Sequence, residues 1–309
     1  MTAPAGLRDL EPLLPAARRI TSPADPGTRE WWSSVSASKV SSILRVNRPT
    51  WDSRFTLWHL MAGRVQPDPP NEEMARGHYL EAGVAAWGLD QEPAGTVILP
   101  GGVWRSRWYP WATAAPDRWL WHDEHGLTIL ECKTDDSDDD WEMGVPAYYR
   151  VQVLWQMIIT GCRRAVIARL GSRLRFERYV IEWDPAEAAH IVQECLRFWR
   201  DLQDGTVPPL DDSESTYRTV RKLHPEIERG EAVQIPPDVA VLLQQRHAAV
   251  AAAKRDLQGS LTEVADLMGS AQYAYTVHSP DDAPRVARRK ARGDSAPWVE
   301  VIQPKGSSS

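Results

Sequence analysis

The chain has 309 residues, of which 42% are hydrophobic and 25% charged, and its formal net charge is −6. This composition indicates a globular protein with one large domain, or one ordinary domain and an extension. No apolar run is long enough to cross a membrane, and the negative charge disfavours non-specific coating of a polyanion. Three cysteines without a CxxC pair support neither a zinc site nor an iron–sulfur cluster, so a reducing, cytoplasmic compartment is expected.

The first predicted elements are an arm and a short helix. Residues 1–30 are rich in Pro and Ala and are predicted to form a flexible arm. Ser36 is the predicted N-cap of a helix that ends near residue 46. A helix start with two hydroxyls (Ser36 and Ser38) and Lys39 can bind an anion. A simple cap explains these residues equally well.

A longer helix is predicted from Asn71 to about Trp87. Glu81 lies on its apolar face, where a carboxylate needs a partner. A buried salt bridge would provide one, and so would a metal ion shared with other acids. Gly77, one turn earlier, removes bulk where another backbone can approach.

Strands are predicted near residues 95–100, 108–117 and 127–133. Because side chains alternate along a strand, Glu131 and Lys133 are expected on one face of the last of these strands.

The segment that ends in Pro116-Asp117 can pair with the 127–133 strand as a hairpin, because a turn separates the two. Such pairing brings two carboxylates and an ammonium to one edge of a sheet, which is typical of metal-dependent nucleases. The alternative is an ordinary solvated or salt-bridged Glu-x-Lys pair.

The next segments complete a predicted domain over about residues 31–210. An acidic run over 135–142 is expected to be a solvated loop. A helix over 146–160 carries a polar stripe with Tyr149 and Gln152, and a strand hairpin over 165–183 and a further helix follow it. This order predicts an α/β (α+β) domain.

Residues 211–309 are predicted to form a mainly helical C-terminal extension with short strands and a basic tail. A long helix is expected over 236–268, interrupted at Gly259, and strands near 273–277, 286–289 and 298–302. A basic cluster in this region either contacts DNA phosphates or only keeps the tail soluble. Its members are Arg285, Arg288, Arg289, Lys290 and Arg292.

Five short motifs occur in a characteristic order. They are Val35-Ser36-Ala37-Ser38-Lys39, Arg76-Gly77-His78-Tyr79-Leu80-Glu81, Ala115-Pro116-Asp117, Leu130-Glu131-Cys132-Lys133 and Tyr149-Arg150-Val151-Gln152. With them, the chain resembles the YqaJ-type viral recombinases, the phage lambda exonuclease family of the PD-(D/E)xK nuclease superfamily. The resemblance covers about residues 31–210. It implies a restriction-endonuclease-like central mixed sheet flanked by helices.

The resemblance also implies roles for individual residues. The implied catalytic residues are Glu81, Asp117, Glu131, Lys133, Tyr149 and Gln152. The implied metal ligands are Asp117, Glu131, Glu81 and the backbone carbonyl of Cys132. The implied metal is Mg²⁺, two ions about 4 Å apart, for which Mn²⁺ can substitute, and oxygen donors of this kind suit it.

Contacts with DNA are implied near the start of the domain. Ser38 matches a serine that helps to hold a terminal 5′ phosphate, and Ser36, Lys39 and Arg29 are the other predicted DNA contacts. Where the family has an arginine for the 5′ phosphate, this chain has Trp31.

The motif around Asp117 also departs from the family. The family often has Ser before Pro-Asp and Gly after it, and this chain has Ala115 and Arg118 there.

The resulting hypothesis is a Mg²⁺-dependent exonuclease that digests linear double-stranded DNA from its ends, 5′ to 3′, and leaves 3′ single strands for phage-type recombination. The resemblance implies a ring-shaped homotrimer and a single-strand annealing protein as partner. No membrane association is expected, and the expected location is the cytoplasm, that of the bacterial host if the chain is phage-encoded. The alternatives are an endonuclease on the same scaffold and a non-catalytic module that binds DNA ends.

Overall fold

A computed structural model describes residues 4–276 and 285–302. The chain forms two compact units that divide between Ile227 and Glu228, and not near residue 210. The helix over Glu214–Leu223 belongs to the first unit, where Ser53 Oγ and Thr216 Oγ1 are 2.6 Å apart.

The α-helices are α1 (Leu7–Leu10), α2 (Arg29–Trp32), α3 (Val40–Leu44), α4 (Arg54–Met61), α5 (Glu72–Asp90), α6 (Ala147–Thr160), α7 (Pro185–Gln203), α8 (Glu214–Leu223) and α9 (Pro237–Met268). The strands are β1 (Ala17–Ile20), β2 (Val97–Pro100), β3 (Val103–Ser106), β4 (Thr113–Ala114), β5 (Arg118–His122), β6 (Gly126–Thr134), β7 (Arg164–Leu170), β8 (Phe176–Glu182), β9 (Tyr273–Tyr275), β10 (Arg285–Lys290) and β11 (Trp298–Val301).

A five-stranded mixed sheet forms the centre of the first unit, in the order β2-β5-β6-β7-β8. Only β6 and β7 are parallel, and α6 forms the crossover that a parallel pair needs. This confirms the predicted restriction-endonuclease-like mixed sheet. The strand predicted over 108–117 is wrong: β4 ends at Ala114 and β5 begins at Arg118, because Pro116 has no N–H for a ladder.

Helices cover both faces of this sheet. On one face, α5 approaches closely at Gly88, where a Cβ atom would lie 3.2 Å from Ala168 Cβ. Gly77 has ordinary space around it, since the nearest atom to its Cβ position is Thr134 Oγ1 at 3.8 Å. On the other face, the fully buried side chains of α6 join Ile129 of β6 in the main hydrophobic core.

The N-terminal segment is folded, contrary to the prediction of a flexible arm over residues 1–30. β1 pairs with β3, and β3 pairs with β4, in a second, three-stranded sheet. Leu10, Leu14 and Ala17 are buried in the main core. The apolar residues of this Pro- and Ala-rich segment therefore pack against the domain.

The second unit contains α9 and an antiparallel three-stranded sheet in the order β9-β10-β11. α9 continues through Gly259 without the predicted interruption. Within residues 4–276 and 285–302, no helix combines the length and apolar character that a membrane crossing requires. Val277, the predicted end of a strand, and the Gly-Ser tail from residue 306 lie outside the described residues.

Candidate active site

Asp117 lies directly before β5 and is held against the neighbouring strand. Its Oδ2 atom accepts a hydrogen bond of 2.7 Å from the backbone N–H of Cys132 in β6. Gly101 leaves room for the backbone just before Asp117, because a Cβ atom at Gly101 would lie 1.6 Å from the carbonyl oxygen of Pro116. A hairpin is present, but its first strand is β5, which follows Asp117, and not the predicted segment that ends at Asp117. It still brings Asp117 beside the end of β6.

Glu131 is buried on the face of β6 that contacts α6. Its Oε1 atom accepts hydrogen bonds from Lys133 Nζ (2.7 Å) and Gln152 Nε2 (2.6 Å). Its Oε2 atom accepts one from Gln156 Nε2 at 2.8 Å. With only 2% of the residue exposed, these donors replace water around the carboxylate.

Lys133 points into the same cluster. Its Nζ also donates to Gln152 Oε1 at 3.1 Å and lies 4.6 Å from the ring centroid of Tyr149. Burial is the largest single influence and disfavours the charged ammonium, but Glu131, Tyr149 and Asp117 together outweigh it and raise the pKa of Lys133 above its ordinary value. The ammonium is therefore charged at neutral pH and acts as a hydrogen-bond donor.

The carboxylate side of the cluster carries an excess of negative charge. Burial raises the pKa of Asp117 well above its ordinary value, the charge of Glu131 raises it further, and the ammonium of Lys133 lowers it. Burial likewise raises the pKa of the Cys132 thiol. The Cys132 side chain packs into the core on the face of β6 opposite Glu131, so the backbone carbonyl is the available metal donor at Cys132.

Glu81 reaches the edge of this site from α5 but is already paired. Its Oε1 atom accepts a hydrogen bond of 2.7 Å from Arg118 Nη1, which also donates to the backbone carbonyl of Asp117. The charge of Glu81 also raises the pKa of Asp117. Both alternatives for Glu81 thus have support: it forms a salt bridge, and it lies beside the other acids.

The donor set fits a metal ion that prefers oxygen. Asp117, Glu131 and the carbonyl of Cys132 offer carboxylate and carbonyl oxygens, which Mg²⁺ prefers. Glu81 already gives one of its two carboxylate oxygens to Arg118.

One other potential metal-binding group stands out among the described residues. It is the only group of three His, Cys, Asp or Glu residues there with ligand atoms all within 4.8 Å of one another, and it consists of His122, Glu124 and His125. It lies at the turn between β5 and β6, at the other end of these strands from Glu131.

Two residues near the site had not been predicted to act there. Gln156 binds Glu131 and is completely buried, and its Oε1 atom has no hydrogen-bond partner among the described residues. It follows Gln152 by one helical turn, so the polar stripe of α6 was a usable signal. Arg118 contacts Glu81 across 37 positions of sequence, for which no local signal exists.

The predicted phosphate site at the start of α3 is only partly supported. Ser36 and Ser38 lie together, with 3.1 Å between their hydroxyl oxygens. The prediction for Lys39 is wrong, because its Nζ is buried and donates to the carbonyls of Trp31 and Ser34 at 2.7 Å each. Arg29 Nη1 donates a hydrogen bond of 2.9 Å to the carbonyl of Met61.

The acidic run after β6 is not a simple solvated loop. Asp135 is buried and accepts hydrogen bonds of 2.8 Å from Arg48 Nη2 and Trp141 Nε1. Arg169 is 1% exposed and pairs with Asp138. Part of the run therefore fixes the loop between β6 and α6.

The fold and this cluster together define the restriction-endonuclease-like class of the PD-(D/E)xK superfamily. The class has a mixed sheet between helices, with Pro-Asp before one strand and Glu-x-Lys on its antiparallel neighbour. Residues 29–163 match the family described as the YqaJ-like viral recombinase domain. The match covers all five motifs and confirms the resemblance predicted from them.

Several solved structures are similar to the chain. An alkaline exonuclease from Laribacter hongkongensis is 22% identical, with 63% of this chain and 100% of that chain covered and a TM-score of 0.46. A phage-related exonuclease from Haemophilus somnus is 15% identical, with 56% and 94% covered and a TM-score of 0.43. A putative exonuclease from Eubacterium rectale is 13% identical, with 68% and 93% covered and a TM-score of 0.43. No curated protein matches the chain in sequence.

Proposed function

We propose that the protein is a divalent-metal-dependent deoxyribonuclease that digests linear duplex DNA from its ends, 5′ to 3′, and leaves 3′ single strands for recombination. The observation that carries the proposal is the buried cluster of Glu131, Lys133 and Gln152 beside Asp117. The direction of digestion and the product rest on the family resemblance.

The metal site of this proposal uses oxygen atoms that the fold brings together. Asp117, Glu131 and the carbonyl of Cys132 would hold Mg²⁺, or Mn²⁺ in its place. When bound, such an ion lowers the pKa of its water and offsets the negative charge that develops on the phosphate. Gln152 and Gln156 fix the orientation of Glu131, so that its carboxylate loses little freedom on binding.

Lys133 acts directly on the reacting groups in this proposal. A charged ammonium cannot accept a proton from water, so Lys133 is not the general base. It can orient the attacking water or a phosphate oxygen by donating a hydrogen bond, and it stabilises negative charge in a site with little water. Tyr149 packs beside its Nζ and limits where the ammonium can point.

The test is digestion of DNA of two topologies with Mg²⁺. Linear duplex should be shortened from its ends, with a 5′ label released early and a 3′ label retained, and covalently closed circles should stay intact. Glu131→Gln should abolish digestion, and Lys133→Met should slow it by about 100- to 1,000-fold. Glu142→Gln and Lys254→Met change exposed residues of the same types and should leave it unchanged.

The alternative functions predict different products. Cleavage of closed circles would show an endonuclease on the same scaffold. Binding of DNA ends by a folded protein that digests no DNA would show a non-catalytic module. Parallel substrates with a 5′ phosphate and a 5′ hydroxyl test the contribution of Ser36 and Ser38.

The assembly of the protein is a further part of the proposal. A ring-shaped homotrimer that threads DNA and a single-strand annealing protein as partner are both implied by the family resemblance, as is the cytoplasm of a bacterial host. Sedimentation of the purified chain, alone and with such a partner, tests the first two.

A further inference from the structure

The small sheet of the second unit has one face covered by a helix. Met268, at the end of α9, is 7% exposed, and Ala287 in β10 is 4% exposed. Arg289 donates a hydrogen bond to the carbonyl of Gly269, just after α9. Because side chains alternate along a strand, Arg288 and Lys290 point to the opposite face.

This opposite face carries aromatic and cationic side chains in register. Arg288 lies opposite Tyr273 in β9 and Glu300 in β11, and Lys290 lies opposite Trp298. The open face, as this surface is called below, consists of Tyr273, Tyr275, Arg285, Arg288, Lys290, Trp298 and Glu300.

The aromatic side chains of the open face are all at least partly exposed to solvent. Trp298 is 46% exposed, and Tyr273 and Tyr275 are partly buried. The guanidinium carbon of Arg285 lies 4.2 Å from the ring centroid of Tyr273. An open pocket with a volume of about 600 Å³ lies between Tyr273, Arg285, Arg288 and Glu300.

The charge of the open face favours an anionic ligand. Three cations face a single carboxylate, and that carboxylate holds two of them. Glu300 accepts hydrogen bonds from Lys290 at 2.7 Å and from Arg288. A phosphate group would offer the same two cations equivalent oxygen atoms.

We propose that the open face binds single-stranded DNA. Aromatic rings stack on the faces of unpaired bases and cations pair with the phosphates between them, whereas a duplex keeps its base faces stacked inside. The choice of DNA over RNA rests on the proposed function, whose product is a 3′ single strand. The open face would hold that strand as it forms.

Glu300 gives the proposal a distinctive consequence. If its carboxylate occupies the cations that a phosphate needs, then Glu300→Gln frees them, and binding of single-stranded DNA should become several-fold tighter with a steeper salt dependence. A cluster that only stabilises the sheet would not gain affinity for DNA when one of its ion pairs is removed.

The experiment measures fluorescence anisotropy of a labelled oligothymidylate with the full chain in EDTA, which prevents digestion. Trp298→Ala and Arg288→Gln should each weaken binding roughly tenfold. Lys254→Ala removes one exposed cation from α9, and Trp108→Ala removes one exposed tryptophan from the first unit, and both should bind as the wild type does. Circular dichroism confirms folding, and Tyr275→Leu replaces any variant that does not fold.

Three outcomes would overturn the inference. These are unchanged oligothymidylate binding in Trp298→Ala and Arg288→Gln, an equal loss of blunt-duplex binding in both, or tighter binding of oligouridylate than of oligothymidylate. Digestion of linear duplex with Mg²⁺ is measured for the same variants and should proceed at the wild-type initial rate. If the wild type digests no DNA while Trp298→Ala still weakens oligothymidylate binding, the proposed function fails and the binding site stands.

Discussion

Two regions of the molecule each bury a lysine, Lys133 in one and Lys39 in the other, and they shift the pKa of that lysine in opposite directions. Lys133 Nζ lies 2.7 Å from a carboxylate oxygen of Glu131, and this charge raises the pKa of Lys133 in spite of burial. Lys39 has only the carbonyls of Trp31 and Ser34 as hydrogen-bond acceptors, and burial lowers its pKa to about 7.

The comparison shows why two lysines that the sequence assigned to the nuclease site, Lys133 as catalytic and Lys39 as a DNA contact, differ in the fold. A buried ammonium beside a carboxylate remains charged and can stabilise a phosphate. The Lys39 ammonium lies 3.6 Å from the centroid of the Trp31 ring, among carbonyl oxygens, and its interactions are with the protein and not with DNA. The four predictions below test this difference, starting from the largest expected effect.

The first prediction concerns the packing that positions Asp117 beside Lys133. Gly101→Ala places a methyl group against the carbonyl of Pro116 and should displace the carboxylate that follows. We expect DNA digestion to fall by about 100-fold and the free energy of unfolding by about 2 kcal/mol. Gly259→Ala, where the added Cβ meets no atom within 4 Å in the interior of α9, should stabilise the chain by about 0.5–1 kcal/mol. Equal digestion rates for the two variants would refute this account of the packing.

The second prediction concerns the negative charge around Lys133. The pKa of Asp117 is raised in the folded state, and neutral pH lies above the ordinary pKa of an aspartate. Ionised Asp117 therefore lowers the free energy of unfolding at neutral pH. Asp117→Asn should therefore raise the free energy of unfolding without metal by about 1 kcal/mol. Excess Mg²⁺ should raise the melting temperature of the wild type and not that of this variant.

Exposed Asp123 provides the control for this experiment. Asp123→Asn should keep the wild-type melting temperature with and without Mg²⁺. A less stable Asp117→Asn protein in EDTA would contradict the assignment of excess charge to the site.

The third prediction concerns Lys39 and pH. Because its pKa is lowered, the unfolded chain binds more protons than the folded chain between pH 7 and the ordinary value of 10.5. Wild-type stability should therefore rise with pH in this window by up to about 1 kcal/mol per unit relative to Lys39→Met. The pKa of Lys133 is raised, so its contribution to the free energy of unfolding stays constant across this window. That contribution is lost only when the pH exceeds the ordinary pKa of lysine. Urea unfolding at neutral pH and near pH ~9 measures the difference, and parallel curves for wild type and Lys39→Met would contradict it.

The smallest expected effect concerns Arg118. Its pair with Glu81 is 30% exposed on both sides and is worth at most about 1 kcal/mol. Arg118→Ala should free Glu81 and lower the Mg²⁺ concentration for half-maximal digestion by roughly two- to fivefold. Arg150→Ala breaks a similarly exposed pair with Glu187 and should leave that concentration unchanged. A higher Mg²⁺ requirement in Arg118→Ala would show that Arg118 supports the site instead.

The parts of the site that follow from local periodicity could be predicted from the sequence. Alternation along β6 placed Glu131 and Lys133 on one face, and helical spacing placed Gln152 on the stripe of α6 that meets them. The stretch between Asp117 and Glu131 indicated a hairpin, but its first strand is β5 and not the segment before Asp117.

The features that depend on distant contacts could not be predicted. Lys39 is buried because Trp31 and Trp32 cover it, and nothing in its own helix indicates this. Residues 4–20 resemble a loose arm by composition, but their last four, Ala17–Ile20, pair with β3, more than 80 positions away. Asp135 belongs to an acidic run, and Arg48, whose guanidinium binds the buried carboxylate, comes from a separate segment.

The most direct test of the account is digestion of linear duplex DNA with Mg²⁺ by Lys133→Met and Lys39→Met side by side. Both variants replace a buried ammonium by a side chain of similar volume. The account predicts that Lys133→Met loses about 100- to 1,000-fold in rate, while folded Lys39→Met digests DNA at close to the wild-type rate. Wild-type digestion by Lys133→Met, or an equal loss in both, would contradict it.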